Sequence, residues 1–153
     1  EHFDSWDIHN EGTQASIRRV TDALDAERIA LREALGFGAP HFPLADHYDD
    51  DREEWMYGDS SHEKLVSSDD WREKIDLHAH RYMREDIALG LVLYATLGRW
   101  TATPMPISEG LVSIASAVVD EDLLTTGRSW ASLGFESWNR GHLAAFLQTG
   151  AKP

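Results

Sequence analysis

An all-α domain, a helical bundle of about five to seven helices, is what this sequence predicts. Apolar residues recur three and four positions apart through several long segments, the period that lines one face of a helix. Glycine falls just past the ends of those segments and proline near their starts, where they stop and begin helices. Alternation of β-branched with polar residues, the mark of a half-buried strand, is nearly absent. The 153 residues, 42% hydrophobic and 27% charged, suit a single domain over 1–153 that buries roughly two-thirds of its unfolded surface.

Residues 1 to 12 mix aromatic and acidic side chains, among them Phe3, Trp6 and Ile8, without a sustained period, and are expected to be irregular or extended. Thr13 is placed as an N-cap. From Ser16 to Leu35 the residues Ile17, Val20, Leu24, Leu31 and Leu35 form an amphipathic stripe, which Gly36 and Gly38 end. Pro40 and Pro43 mark a linker, and the acid-rich stretch 46–54 reads as a loop or a solvated helix start. Short helices are expected over 62–67 and 69–77, the second with Ser68 before the acidic first turn of Asp69 and Asp70. From about Arg84 a helix runs through Ile87, Leu89, Leu91, Val92 and Leu93 to Leu97, with Gly98 closing it. It is apolar on most faces and is the expected central helix. Pro104 and Pro106 bracket the next start, and Ile107, Leu111, Ile114, Ala115 and Val118 carry that helix to about Val119. A short segment around Trp130 and Leu133 ends at Gly134, and a last helix holds Trp138, His142, Leu143, Phe146 and Leu147, stopping at Gly150.

Lys and Arg number 14 against 27 Asp and Glu, a net charge of −13 that repels phosphate backbones and anionic lipid, so no nucleic-acid partner is expected. The longest apolar run, Ile87 to Leu97, is broken by Gly90 and Thr96 and is too short for a bilayer, so no membrane partner is expected either. Cysteine is absent, which excludes disulfides, thiolate metal sites and a cysteine nucleophile. No signal peptide opens the chain, and the expected location is cytoplasmic. Glu1 stands where a translated chain has Met, so a segment of something larger is expected.

Among candidates for chemistry, His78 and His80 sit two apart, a spacing that faces one side only in an extended segment, and His41, His47 and His62 lie in polar linkers. No third ligand is fixed by spacing, and no metal is expected. The acids Asp49, Asp50, Asp51, Glu53 and Glu54 lack the glycine and terminal glutamate of a calcium loop and read as a solvated charge run. Neither GxSxG, HExxH, a P-loop nor GxGxxG occurs. The six Trp are expected in the core. The informative stretch is His80-Arg81-Tyr82-Met83-Arg84-Glu85-Asp86, which sets guanidinium and carboxylate groups at the mouth of the most apolar helix. An Arg there offers a planar fork for a substrate carboxylate, and an Asp there is placed to orient a catalytic imidazole. The plainer alternative is a capping and salt-bridge cluster, since acids favour first turns in any case. Arg81 and Asp86 stand five apart, about 140° around an ideal α-helix, so convergence requires Arg81 to precede the helix proper.

Three segments carry a family resemblance. The first is Glu11-Gly12-Thr13-Gln14-Ala15-Ser16-Ile17 with Asp25-Ala26-Glu27-Arg28 and Ala34-Leu35-Gly36; the second, and most specific, is His80-Arg81-Tyr82 with Glu85-Asp86, Gly90-Leu91-Val92 and Leu97-Gly98. Pro104, Pro106, Ala115-Ser116-Ala117, Gly127-Arg128-Ser129 and Leu133-Gly134-Phe135 complete it in order. Over most of residues 11 to 147 the chain resembles the helical substrate-binding domain of the opine dehydrogenases, the octopine/nopaline dehydrogenase family. The resemblance implies reductive condensation of an amino acid with a 2-oxo acid, the imine being reduced by NADH or NADPH. By position it implies that Arg81 binds a substrate carboxylate, with His80, Tyr82 and Glu85 beside it in the substrate-binding group. Asp86 is implied as the catalytic partner of a histidine that lies before Glu1. It further implies a Rossmann domain upstream that holds the dinucleotide, with none bound by this chain alone, and it leaves a homodimer open. Family members often carry Thr at the position of Arg84, Pro at that of Ala88 and Pro at that of Gln14, departures that bear on substrate preference and local helix geometry. Two alternatives to a dehydrogenase domain are a non-enzymatic helical binding or assembly module and one subunit of a split dehydrogenase.

Overall fold

The computed structural model describes residues 14–48 and 76–152, and every element within them is helical. They are α1 (Ala15–Ala34), a 3₁₀ turn (Leu44–Tyr48), a π-helix (Tyr82–Leu91) that continues without a break into α2 (Val92–Thr101), α3 (Pro106–Val119), α4 (Leu123–Thr126) and α5 (Arg140–Thr149). The all-α expectation holds. The Thr13 cap, the helix over 62–67, and the helix of 69–77 as far as residue 75 lie outside the described residues. Asp76 and Leu77, the expected end of that second helix, instead belong with His78 and Ala79 to a tight turn. Ala79 and His80 N–H both donate to Asp76 C=O, and His78 N–H donates to the Asp76 carboxylate at 3.0 Å. An Asp side chain that bonds the backbone two residues on competes with helix in this way.

Helix α1 starts after Gln14, which contributes no side-chain cap. It ends at Gly36 (φ +89°), where Gly36 N–H donates to Glu33 C=O and Phe37 N–H to Arg32 C=O, the paired bonds of a glycine-closed helix. Arg28 then ties the following segment back onto α1. Its Nε meets Asp25 and its Nη2 donates to His41 C=O at 2.9 Å, while Leu44 N–H donates to the other Asp25 oxygen at 2.8 Å.

The central helix departs from expectation in winding and in length. It begins at Tyr82, is π-helical to Leu91, and runs on as an α-helix to Thr101. Gly98 does not close it. That glycine is buried within α2, where a Cβ would collide with Met105 Cγ and lie 2.9 Å from Thr103 C=O, so its small size admits the returning chain. Closure falls to Ala102 in the left-handed region (φ 58°), with Thr103 N–H donating to Gly98 C=O at 2.8 Å. The core lies between this helix and α3. Met83, Ala88 and Val92 pack on Val112, Ala115, Val119 and Leu123, the last from the short α4, which the sequence pattern did not predict. Full burial of Val92, Val112 or Leu123 stabilises the fold by about 1.5–3 kcal/mol each.

Helix α3 opens on Pro106 at its first position, as expected, but Met105 at its N-cap has no side-chain acceptor to offer. The acceptor comes from α1. Glu27, buried to 8% exposure, takes Ile107 N–H at 2.5 Å, Ser108 N–H at 2.9 Å and Ser108 Oγ–H at 2.7 Å. Beyond α4 the chain returns across α2 through aromatic contacts. Trp130 stacks at 4.8 Å on Trp100 and 5.0 Å from Phe135, and Phe135 lies 4.2 Å from Trp138. Trp138 lies outside the last helix, before an Asn139 capping box with His142, and α5 ends at Gly150 (φ +72°) as expected.

Candidate functional site

The tight turn at Asp76 to Ala79 delivers the chain to the mouth of the π-helix, and Arg84 fixes the two to each other. Its Nε donates to His78 C=O at 2.7 Å, while its Nη1 meets the Glu121 carboxylate at 2.6 Å across the α3–α4 turn. Glu121 also accepts from Thr126 Oγ1 at 2.7 Å. The Arg84 hydrogen bond above all, then that of Thr126, holds its carboxyl below the usual range. Sequence reasoning passed over this brace, because nothing in the spacing links positions 84 and 121.

On that support stand the sequence-predicted residues. Tyr82 N–H donates to His80 Nδ1 at 3.2 Å, which leaves the proton of a neutral ring on Nε2. The His80 and Tyr82 rings meet edge to face at 4.6 Å. The Arg81 guanidinium lies 6.0 Å over the Tyr82 ring and 3.6 Å from Glu85, with both ends of that ion pair more than half exposed. A pair so solvated contributes about 0–1 kcal/mol and leaves Arg81 available to a better partner. His80, Arg81, Tyr82 and Glu85 are thus brought together. Asp86 is exposed and accepts no hydrogen bond from any described residue, in contrast to Glu121 on the same rim.

The winding of the helix settles how Arg81 and Asp86 relate. Arg81 does not stand in a loop ahead of the helix, as convergence in an α-helix requires; it is the N-cap, with helical dihedrals of −56° and −36°. Hydrogen bonds reaching five residues back make each turn wider, so a residue five along takes roughly the place that the fourth has in an α-helix. Asp86 therefore lies on the face that Arg81 begins. The expected separation of about 140° assumed α-helical winding throughout, whereas the winding is π-helical from Tyr82 on.

Change of winding at Val92 has a second effect. Val92 N–H donates to Ile87 C=O, five residues back, and the α-helix that follows resumes spacing of four. One carbonyl at the junction is passed over. Ala88 C=O accepts instead from Arg128 N–H at 2.9 Å, and Leu89 C=O from Arg128 Nε at 3.3 Å.

A dinucleotide does not fit the described residues. The glycine turn that cradles a pyrophosphate follows a strand and opens a helix, whereas every element among the described residues is helical, Gly36 and Gly150 end helices, and Gly98 and Gly127 are closed off by this chain's own atoms. Among the described residues no three His, Asp or Glu come together as metal ligands. Nor, among them, is any helix long and apolar enough to cross a membrane.

Residues 1–119 match the family model described as NAD/NADP octopine/nopaline dehydrogenase, alpha-helical domain. The chain is 29% identical over 130 residues to an opine dehydrogenase of Arthrobacter sp., covering 81% of this chain and 34% of that protein. It is 30% identical over 138 residues to Protein ocs of Agrobacterium tumefaciens and 28% over 145 residues to vitopine synthase of Allorhizobium ampelinum, each covering 86% of this chain and 36% of the relative. The chain spans about a third of the length of the curated relatives it matches.

Proposed function

Because this chain belongs to the octopine/nopaline dehydrogenase family and corresponds to its α-helical domain, we propose that it is the substrate-binding and catalytic-support domain of an NAD(P)-dependent opine dehydrogenase. The whole of 1–153 acts as one domain beside a Rossmann domain of the same protein. Its substrates are an amino acid and a 2-oxo acid. The amine adds to the ketone, water leaves, and the resulting C=N bond takes up a hydride and a proton to give a secondary-amine dicarboxylate. NADH or NADPH supplies that hydride when bound, from a site outside this chain.

The observation that carries this reading is the shared helix face of Arg81 and Asp86. Arg81 takes one substrate carboxylate through its planar fork, exchanging a solvated 3.6 Å contact with Glu85 for a bidentate pair. His80 and Tyr82 flank the bound acid with their rings, and Glu85 holds Arg81 in the absence of substrate. Asp86, with its oxygens uncommitted among the described residues, accepts a hydrogen bond from the imidazole of a histidine on another segment of the protein. This fixes the tautomer of that ring and stabilises its protonated form, the proton donor to the imine nitrogen.

The test is an assay of the full-length protein with amino acids, 2-oxo acids and NADH or NADPH. The expected result is nucleotide oxidation that needs both acids, with a secondary-amine product identified by mass spectrometry. Nucleotide oxidation with a 2-oxo acid alone, or none with any pair, would overturn it in favour of a simple 2-oxo acid reductase or a non-enzymatic module.

A further inference from the structure

We propose that the backbone of Gly127 and Arg128 sets the register of the helix that carries Arg81 and Asp86, which makes both positioning residues for the substrate site; the inference rests on the function proposed above. The Ala88 carbonyl has two possible donors. In an α-helical register it would accept from Val92 N–H of its own helix; here Val92 N–H goes to Ile87 C=O, and Ala88 C=O accepts from Arg128 N–H at 2.9 Å. A buried carbonyl with no donor is costlier than a poorly wound turn, so the external N–H permits the π register. The Arg128 side chain adds a bond from Nε to Leu89 C=O at 3.3 Å.

Access to the helix depends on residue 127. Gly127 is buried, and a Cβ there would collide with Ala88 C=O, fall 2.5 Å from Leu123 C=O and lie 3.1 Å from Val92 Cγ2. Only a residue without a side chain lets the chain come close enough for the following N–H to reach Ala88. Its φ of −76° is open to any residue, so close approach and not backbone freedom demands the glycine. Displacing this segment removes the external donor, and Val92 N–H becomes the remaining way to satisfy Ala88 C=O. The helix N-terminal to Val92 then rewinds by one residue, about 100°, and Arg81 and Asp86 separate to about 140°. Neither Gly127 nor Arg128 lies on the helix that carries Arg81 and Asp86; both act on it through the Ala88 and Leu89 carbonyls.

Three measurements decide it. In the unaltered chain, NMR couplings across hydrogen bonds are expected from Val92 N–H to Ile87 C=O and from Arg128 N–H to Ala88 C=O; a coupling from Val92 N–H to Ala88 C=O overturns the proposal. In the full-length protein, Gly127→Ala is expected to move the Val92 coupling to Ala88 and to lower kcat/KM for the acid substrates by about 10²-fold, chiefly through KM, with the dinucleotide KM unchanged. A glycine needed only for packing would lower Tm and leave the acid KM of the folded enzyme as it was, and that result overturns the positioning role. Arg128→Pro removes the same N–H, and Gly127, at ψ 176°, already has the extended backbone that a following proline requires. It is expected to give the same two changes, so the outcome does not hang on one variant folding. An unaltered protein that forms no opine overturns the reading of function, whereas a register that stays put in these variants overturns this inference alone.

Discussion

Two carboxylates on opposite sides of the domain have opposite fates. At the foot of α3, Glu27 is buried and accepts three hydrogen bonds, two from the backbone N–H groups that Pro106 and Met105 leave uncapped. At the mouth of the π-helix, Asp86 is exposed and accepts none from the described residues. A carboxylate has about four acceptor sites, so Glu27 is nearly saturated by its own fold and has little left for a ligand. Among the described residues, Asp86 has its whole capacity left. The same functional group is structural in one region and available in the other, and bonding state separates the two better than residue type.

The sharpest way to break the contrast is to truncate the saturated carboxylate. Glu27→Ala strands the Ile107 and Ser108 N–H groups at a buried helix start and should cost about 3–5 kcal/mol, read as a lower midpoint in urea, whereas Glu27→Gln keeps an acceptor and should cost roughly half as much. Asp86→Asn should do the reverse. In the full-length enzyme it is expected to lower kcat 10²-fold or more, about 2.7 kcal/mol or more, with the urea midpoint and dinucleotide affinity unchanged. A stability loss with kcat intact would mean that Asp86 is only a first-turn acid. Arg81→Lys keeps the charge without the fork and should raise KM for one acid substrate by one to two orders of magnitude, on the order of 1.5–3 kcal/mol. Equal KM values in the two enzymes would assign Arg81 to its ion pair with Glu85. Smallest is Glu121→Gln. Because the folded carboxyl is held below its ordinary value of 4.5, its contribution is present above that value and fades as the pH falls through the lower folded one. Wild type and variant should therefore differ slightly at neutral pH and low salt and converge in acid.

Periodicity made the helices legible, and α1, α3 and α5 lie close to where the apolar spacing puts them. It did not reveal winding. The residues of the π-helix give an α-like apolar pattern, and the cause of the departure sits about forty positions away, where Arg128 reaches Ala88. Gly98 misled for a related reason: a glycine near a helix end reads as a stop, and only the position of Met105 marks it as a point of close approach. The motif at 80–86 was legible as a group of residue types, though not the brace of Arg84 and Glu121 beneath it. One signal went unused. Glu27 continues the three-and-four spacing of Val20, Leu24 and Leu31, and an acid on a stripe that faces the core implies a buried group in need of donors.

The aromatic ladder gives the C-terminal end of the domain a distinct mechanical character. Helix α5 buries no residue of its own, and its Phe146 rests on Phe135 and Trp138 at 5.7 and 5.1 Å. Trp138 in turn is held through its carbonyl by Trp100 Nε1–H at 2.9 Å, at the end of α2. A helix that buries none of its residues opens at lower free energy than the core it leans on, so its amides should exchange with solvent well before those of α3. Trp100, Trp130 and Trp138 stand along that attachment, and their fluorescence therefore reports the detachment of α5 as a step separate from global unfolding.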